Sequence, residues 1–511
     1  MPAFHLPADH AKRNSRQRRQ SELPMRFFTR FLLLAVLLGG NVQAGVSSLD
    51  LPDMGDSTGV ILSPEYERRL GQAFLSQVRE QANIVNDPEI DTYIKSVGYR
   101  LVAQSDRNTQ AFTFFIINDP MINAFAAPGG IVGVNSGIIL NADSESELAG
   151  VMAHEVVHVT QRHMARGAEM QQRMSIPMMA AMLGAILIAS QNPEAGQAAL
   201  MAIQGGMAQA QINFTRGNEE EADRIGMQLL NRADFNPRGM STFFEKLQAN
   251  SRYISQAPEF LRTHPVTVNR IAEARARAEM IPPGLAFTES KSFPYIKAKL
   301  TVLSMKNPRE AIVYYRARLA DENQIRDHLA NRYGYALALM ETGEYEEASQ
   351  HMRALLVSDR ENASFLLAAA DLEYRQGKLR ESFGLYEEAL HIYPDYAPVV
   401  MSYAQTLLKS NQPEIARDLL KEYGKYNETD LRYFEFLARA EAEAGNAVES
   451  GIATAEYYYL LGRTDTAVAQ MESLLRQTNP KPDYYQTERM HDRLAFLQRE
   501  LRLEQDLKIR E

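Results

Sequence analysis

Two histidines four residues apart occur in the run His154-Glu155-Val156-Val157-His158, within a stretch patterned as a helix. One helical turn takes about 3.6 residues, so both imidazoles project from one face and can share a cation. Glu155 adjoins the first of them, and its carboxylate can reach a water in the open position of that cation and take its proton. Zinc lowers the pKa of such a water towards about 7, within range of a carboxylate base. The chain has no cysteine, so His, Asp and Glu are the remaining ligands. The spacing therefore predicts a hydrolytic centre with one Zn2+ per chain. A catalytic zinc takes three protein ligands, so a third is expected on a later helix. The candidate is Asn218-Glu219-Glu220-Glu221-Ala222-Asp223, in which Glu219 and Asp223 share a helix face. One can bind the metal while the other orients a histidine. Spacing alone does not exclude Glu220, and read by itself the run is better taken as an acidic first turn favoured by the helix dipole. His163, five residues beyond His158, points elsewhere on a continuous helix and reads as structural.

The elements that must position these groups are legible in part. Leu70, Phe74 and Val78 recur every four positions, as on one helix face. Residues 112–117 are aromatic and β-branched and end at Asn118-Asp119-Pro120, which predicts a strand and a turn. Residues 123–127 predict a second extended segment, turned by Pro128-Gly129-Gly130 into a third near residues 131–134. Ser144 and Glu147 have capping-box spacing, so the helix of the histidines starts there. Residues 178–189 are almost wholly apolar, Asn192-Pro193 interrupts them, and an Ala/Met-rich helix follows. The apolar stretch is shorter than the roughly 20 residues a membrane span needs. It predicts a buried helical hairpin, or alternatively one that rests on a membrane or covers the site.

Pro282-Pro283-Gly284 marks a domain boundary. Beyond it, Ala336, Ala370, Ala404 and Ala438 are spaced by 34, with Gly343, Gly377, Asn411 and Gly445 in register where turns are needed. Ala348, Ser382 and Ala416 repeat as well, and Ala455, Gly462 and Ala467 repeat the pattern half a period out. Small residues at these points let paired helices pack closely. The period resembles tetratricopeptide repeats, whose arrays bind peptides or protein surfaces. The expected division is a signal peptide over 1–44, a metallopeptidase domain over 45–281, a linker over 282–299, repeats over 300–485 and a C-terminal helix over 486–511.

The histidine motif, Glu219-x-x-x-Asp223 and the segment Asn123-Ala124-Phe125-Ala126-Ala127-Pro128-Gly129-Gly130 together resemble the M48 family of metallopeptidases. That resemblance implies an α+β zincin-type domain, mostly helical with a small sheet, followed here by an all-α repeat solenoid. It implies zinc ligation by His154, His158 and Glu219, Glu155 as general base, and Asp223 as the partner that orients a ligand. Glu220 and Glu221 are not selected by the family spacing. Asn123, Ala124 and Phe125 resemble the edge strand that borders the family's cleft, where a substrate could add as another strand. His264-Pro265 with Arg270 resembles a further family feature, and both residues count among the catalytic candidates. His264 would donate to the oxyanion of the tetrahedral intermediate, or bind zinc as a fourth ligand and hold the enzyme inactive.

The 511 residues, 45% hydrophobic and 23% charged, are globular in composition and long enough for several domains. A net charge of -9 implies no attraction to nucleic acid. The basic segment from Met25 to Arg30, the apolar run from Phe31 to Leu38 and the small residues of Val42-Gln43-Ala44 predict a secretory signal cleaved after Ala44. Translation from Met25 would account for the basic, polar residues before it. Signal, peptidase domain and repeats together resemble periplasmic members of the family. That implies protein substrates among outer-membrane proteins and their assembly machinery, with peripheral membrane contact. The competing expectation is a chaperone or scaffold acting through its repeats, with the protease silent.

Overall fold

The computed structural model describes residues 63–508 apart from 107–110, 192, 252–257, 281–286, 288, 322–327, 428–429 and 477–482. The expected signal segment and the start at Met25 lie outside the described residues. Helices α1 (Pro64–Gln81) and α2 (Pro88–Ala103) each begin with proline behind a capping side chain. Ser63 accepts from the Tyr66 N–H, and Asp87 accepts from those of Glu89 and Ile90, which satisfies donors that no helical carbonyl reaches.

Strands β1 (Thr113–Ile117), β2 (Ala124–Ala127) and β3 (Ile131–Asn135) form one sheet in the order β1-β3-β2. β1 runs parallel to β3 and β2 antiparallel to it, so β2 lies at an edge. Asn123 lies just outside β2. Gly129 and Gly130, at φ 75° and 81°, turn β2 into β3 through left-handed conformations that suit glycine. A short helix, α3 (Ser136–Asn141), leads to α4 (Glu145–Thr160), in which every residue except His158 is buried. Ser144 caps α4 by accepting from the Glu147 N–H at 3.2 Å. The return bond of this capping box goes from the Asp143 N–H to Glu147, 2.8 Å, one residue earlier than the motif predicts.

Helices α5 (His163–Gln191) and α6 (Pro193–Arg232) pair as a hairpin. Its apolar sequence predicts burial, yet Met182, Met201 and Ile212 are exposed. Length explains the difference, because α6 with its 40 residues extends about 60 Å, far beyond the core that its C-terminal third joins. No helix among the described residues is long and apolar enough to cross a membrane. Helices α7 (Arg238–Ser251), α8 (Glu259–Thr263) and α9 (Val268–Glu279) complete the N-terminal half.

Residues 293–299, expected as linker, begin helix α10 (Phe293–Ser304). Its Phe293, Ile296 and Leu300 join the core of the N-terminal half, while Ala298 and Val302 join the first repeat core. After α11 (Pro308–Ala320) come the pairs α12 (His328–Thr342) with α13 (Tyr345–Ser358) and α14 (Ala363–Arg375) with α15 (Leu379–Ile392). Next are α16 (Ala397–Lys409) with α17 (Pro413–Gly424) and α18 (Leu431–Glu443) with α19 (Ala447–Leu460), then α20 (Thr464–Leu475) and α21 (Tyr484–Lys508). Gly343, Gly377, Asn411 and Gly445 all have positive φ at the turns within pairs. Ala336, Ala370, Ala404, Ala348, Ser382 and Ala416 are fully buried where the helices meet. Ala438 is only half-buried, and Ala440 takes the buried place in α18.

The repeats pack on α1 and α2. Lys95 pairs with Asp430 at 3.3 Å, Arg432 donates to Asn86 at 2.7 Å, and Arg79 donates to the Leu460 carbonyl. The surface that receives these two helices is thus filled from within the chain. Lys299 of α10 ties the halves together by reaching Asp87 at 2.8 Å and Glu89 at 2.9 Å, and Ser364 of α14 donates to Glu89. Lys299→Met keeps the packing but leaves two shielded carboxylates without their cation. It should cost about 3 kcal/mol, read as a lower urea midpoint, and an unchanged midpoint would show that the pairing does not stabilise the junction.

Candidate metal centre

The chemistry gathers where α4, α6 and the turn after α8 meet. α4 presents His154 and His158 on one face, with ring centroids 4.7 Å apart. α6 brings Glu219 and Asp223 alongside, one turn apart. The close approach depends on Gly226, where a Cβ would stand 2.9 Å from the Met240 methyl and 3.4 Å from the His154 backbone nitrogen. His264 follows α8 at its C-terminal cap and lies against Phe260, centroids 5.0 Å apart.

His154, His158, Glu219 and His264 offer four donor atoms within 4.8 Å of one another. His154 Nε2 lies 3.0 Å from His158 Nε2, 3.3 Å from His264 Nδ1 and 3.3 Å from Glu219 Oε2. Glu219 Oε1 lies 3.4 Å from His158 Nε2 and 3.0 Å from His264 Nδ1. A tetrahedron with zinc–nitrogen bonds of 2.0–2.1 Å has edges of about 3.3–3.4 Å, so the spacing fits a zinc ion. Such a set has His264 as its fourth member. The electrostatics fit a cation as well. Burial disfavours a charged His154, but Asp223 and Glu219 outweigh it and push its pKa up to about 10. Burial also opposes a charged Glu219, yet His154 and His264 hold its pKa well below the usual carboxylate range. Burial and the neighbouring His154 and His264 drive His158 well below the ordinary imidazole value.

Glu155 is fully buried beside this cradle, and neither carboxylate oxygen has a hydrogen-bond partner among the described residues. His264 Nε2 stands 3.6 Å from its Oε1, beyond hydrogen-bond reach. A buried carboxylate without partners is costly, and that cost is offset only where a water or substrate completes the site. Asp223 accepts from His154 Nδ1 at 2.9 Å, which fixes the ring with Nε2 towards the cradle. Arg270 donates to Asp223 at 2.6 and 2.8 Å, to Glu219 at 2.8 Å and to the Pro265 carbonyl at 2.9 Å. Those bonds use its guanidinium to hold Asp223, Glu219 and the Pro265 carbonyl together. Its partners could not be read from the chain because they come from another helix.

Sequence spacing also misplaced His163. On a continuous helix it would point away from His158, but Arg162 adopts φ 53° and breaks the helix between α4 and α5. His163 Nδ1 therefore lies 2.8 Å from His158 Nδ1, and its Nε2 lies 3.2 Å from Glu221. Arg166 donates to Glu221 at 2.5 Å and to Asn218 at 2.9 Å. Burial and Arg166 push the His163 pKa down to about 4. No local signal marked the break, because Gln161 and Arg162 are both good helix formers.

At the sheet edge, the Asn123 carbonyl accepts from the Asn135 N–H at 2.9 Å. By alternation along an antiparallel ladder, the backbone groups of Ala124 and Ala126 face away from β3. Asn123 and Ala124 are buried, Phe125 packs on Phe74 and Phe115, and Ala126 is half-buried. The Ile122 carbonyl accepts from the Phe260 N–H at 3.3 Å, which ties the strand's start to the helix that carries His264.

Two histidines and a glutamate gathered from separate helices, with a buried carboxylate beside them, define a metallopeptidase. The profile of peptidase family M48 matches residues 88–278, and a tetratricopeptide-repeat profile matches residues 373–440. The chain is 39% identical over 452 residues to the beta-barrel assembly-enhancing protease of Escherichia coli (strain K12), covering 87% of this chain and 91% of that protein. It is 35% identical over 445 residues to the protein of the same name from Yersinia pestis, covering 86% and 91%. A mitochondrial metalloendopeptidase of Schizosaccharomyces pombe is 30% identical over 213 residues, 41% of this chain and 60% of that one. The chain belongs to the family of beta-barrel assembly-enhancing proteases, with an M48 peptidase domain followed by tetratricopeptide repeats.

Proposed function

We propose that this chain is a periplasmic zinc endopeptidase that cleaves proteins during outer-membrane assembly, with its repeats recruiting substrate or partner. The donor cradle beside an unpartnered Glu155 carries the reading, and the name borne by the relatives supports the choice of substrate. His154, His158 and Glu219 would hold the zinc. When bound, zinc supplies a Lewis acid that acidifies water and polarises a peptide carbonyl. Glu155 takes the proton of the attacking water and passes it to the leaving amine. Asp223 keeps His154 in the required tautomer, and Arg270 keeps Asp223 and Glu219 in place. An extended substrate segment adds to β2 beside the half-buried Ala126, whose backbone groups face away from β3.

His264 occupies the fourth donor position in the described arrangement, which favours the inhibitory of its two roles. The same contact favours the second reading, a scaffold with a quiet protease. Metal analysis of the purified chain should find one zinc, and casein cleavage should vanish on chelation and return with zinc. His264→Ala should cleave faster, ~10-fold if nine molecules in ten are closed. Slower cleavage would assign His264 to transition-state stabilisation instead.

A further inference from the structure

We propose that His163 and Glu221 form a second orienting relay for the metal centre, acting on His158 as Asp223 acts on His154. This rests on the metallopeptidase reading above. The two ligand histidines present the same nitrogen, Nε2, to the cradle, which leaves each Nδ1 carrying hydrogen. His154 donates that hydrogen to a carboxylate. For His158 the group placed at this point is another imidazole, His163, with Nδ1 facing Nδ1 at 2.8 Å. One nitrogen must donate and the other accept. His158 donates, because its other nitrogen is committed to the metal. His163 accepts through Nδ1 and carries its own hydrogen on Nε2, which donates to Glu221 at 3.2 Å. Arg166 donates to the same Glu221 oxygen at 2.5 Å and holds the carboxylate there. Every hydrogen in the chain from metal to Arg166 is thereby assigned without a clash, and each tautomer follows from the one before it.

The relay depends on the break at Arg162. Its guanidinium pairs with Glu67 of α1 at 3.0 Å, which anchors the left-handed residue and starts α5 at His163. The relay then spans three helices, with His158 on α4, His163 and Arg166 on α5, and Glu221 on α6. Glu219 and Glu221 sit two residues apart on α6, one facing the metal and the other facing His163. The root of the exposed hairpin thus holds the metal site from both sides.

The test measures zinc affinity by competition with a chromophoric chelator on the full chain, alongside the absorption bands of the cobalt-substituted protein. His163→Leu removes the acceptor and should weaken zinc binding ~10–100-fold and shift the cobalt bands, with far-ultraviolet circular dichroism unchanged. His163→Asn returns an acceptor oxygen near the place of Nδ1 and should recover most of the affinity. Glu221→Gln should give a smaller loss in the same direction. Wild-type zinc affinity and cobalt bands in His163→Leu would overturn the relay, as would failure of His163→Asn to recover when His163→Leu is impaired. Absence of zinc binding by the wild type would instead overturn the functional reading, so the two failures are distinct.

Discussion

Glu155→Gln should bind one zinc per chain as the wild type does and cleave casein about 10³-fold more slowly. The two parts of the result come from separate features of the site. The donor atoms belong to His154, His158, Glu219 and His264, so the variant leaves the cradle intact. The carboxylate it removes is the one buried acidic group beside the cradle without a hydrogen-bond partner among the described residues. The amide of glutamine has nearly the same shape but cannot accept a proton. Cleavage within tenfold of wild type would remove Glu155 from the role of base. Lost zinc would place it in the cradle instead. If Glu155→Gln fully supports the physiological role, the repeats carry the function and the protease is secondary.

Arg270→Met should destabilise the metal-free protein by about 3–5 kcal/mol, because it leaves two buried carboxylates without their cation. Asp223 and Glu219 are both buried, and Arg270 is itself 3% exposed, so water cannot replace the lost bonds. Burial opposes the charged forms of all three groups, and their mutual pairing outweighs it: the pKa of Asp223 is lowered and that of Arg270 raised. Thermal unfolding without zinc gives the first readout. Zinc affinity gives the second and should fall, since Glu219 and the His154–Asp223 pair lose their support. A catalytic arginine would behave differently, with unchanged stability and zinc binding and a fall only in the rate of cleavage. That outcome would return Arg270 to the role its family resemblance implies.

The sequence by itself determined what repeats locally. His154 and His158 are one helical turn apart, and a helix of that composition leaves their relation little freedom. The repeat register was legible for the same reason. Gly343, Gly377, Asn411 and Gly445 mark turns through their own backbone conformations, and alanines mark the tight contacts between paired helices. The strands at residues 113–117 and 131–135 differ from the hydrophobic runs by about one residue, which reflects fraying of the pattern at their ends.

Only the tertiary structure decided what depends on two segments meeting. His163 lay on the wrong face while the helix was taken as continuous, and one residue at positive φ, held by Glu67 of another helix, reversed that. The pairing of Arg270 with Asp223 and Glu219 was not legible, because these partners lie on α6, 47 and 51 residues away. Met182, Met201 and Ile212 of the hairpin are apolar yet exposed, because the core ends before its helices do. The segment 293–299 carries no repeat signature but serves two cores at once as part of α10. Composition and spacing set which groups can do chemistry along one element. Long-range packing, paired charge and a single backbone break set which of them act together.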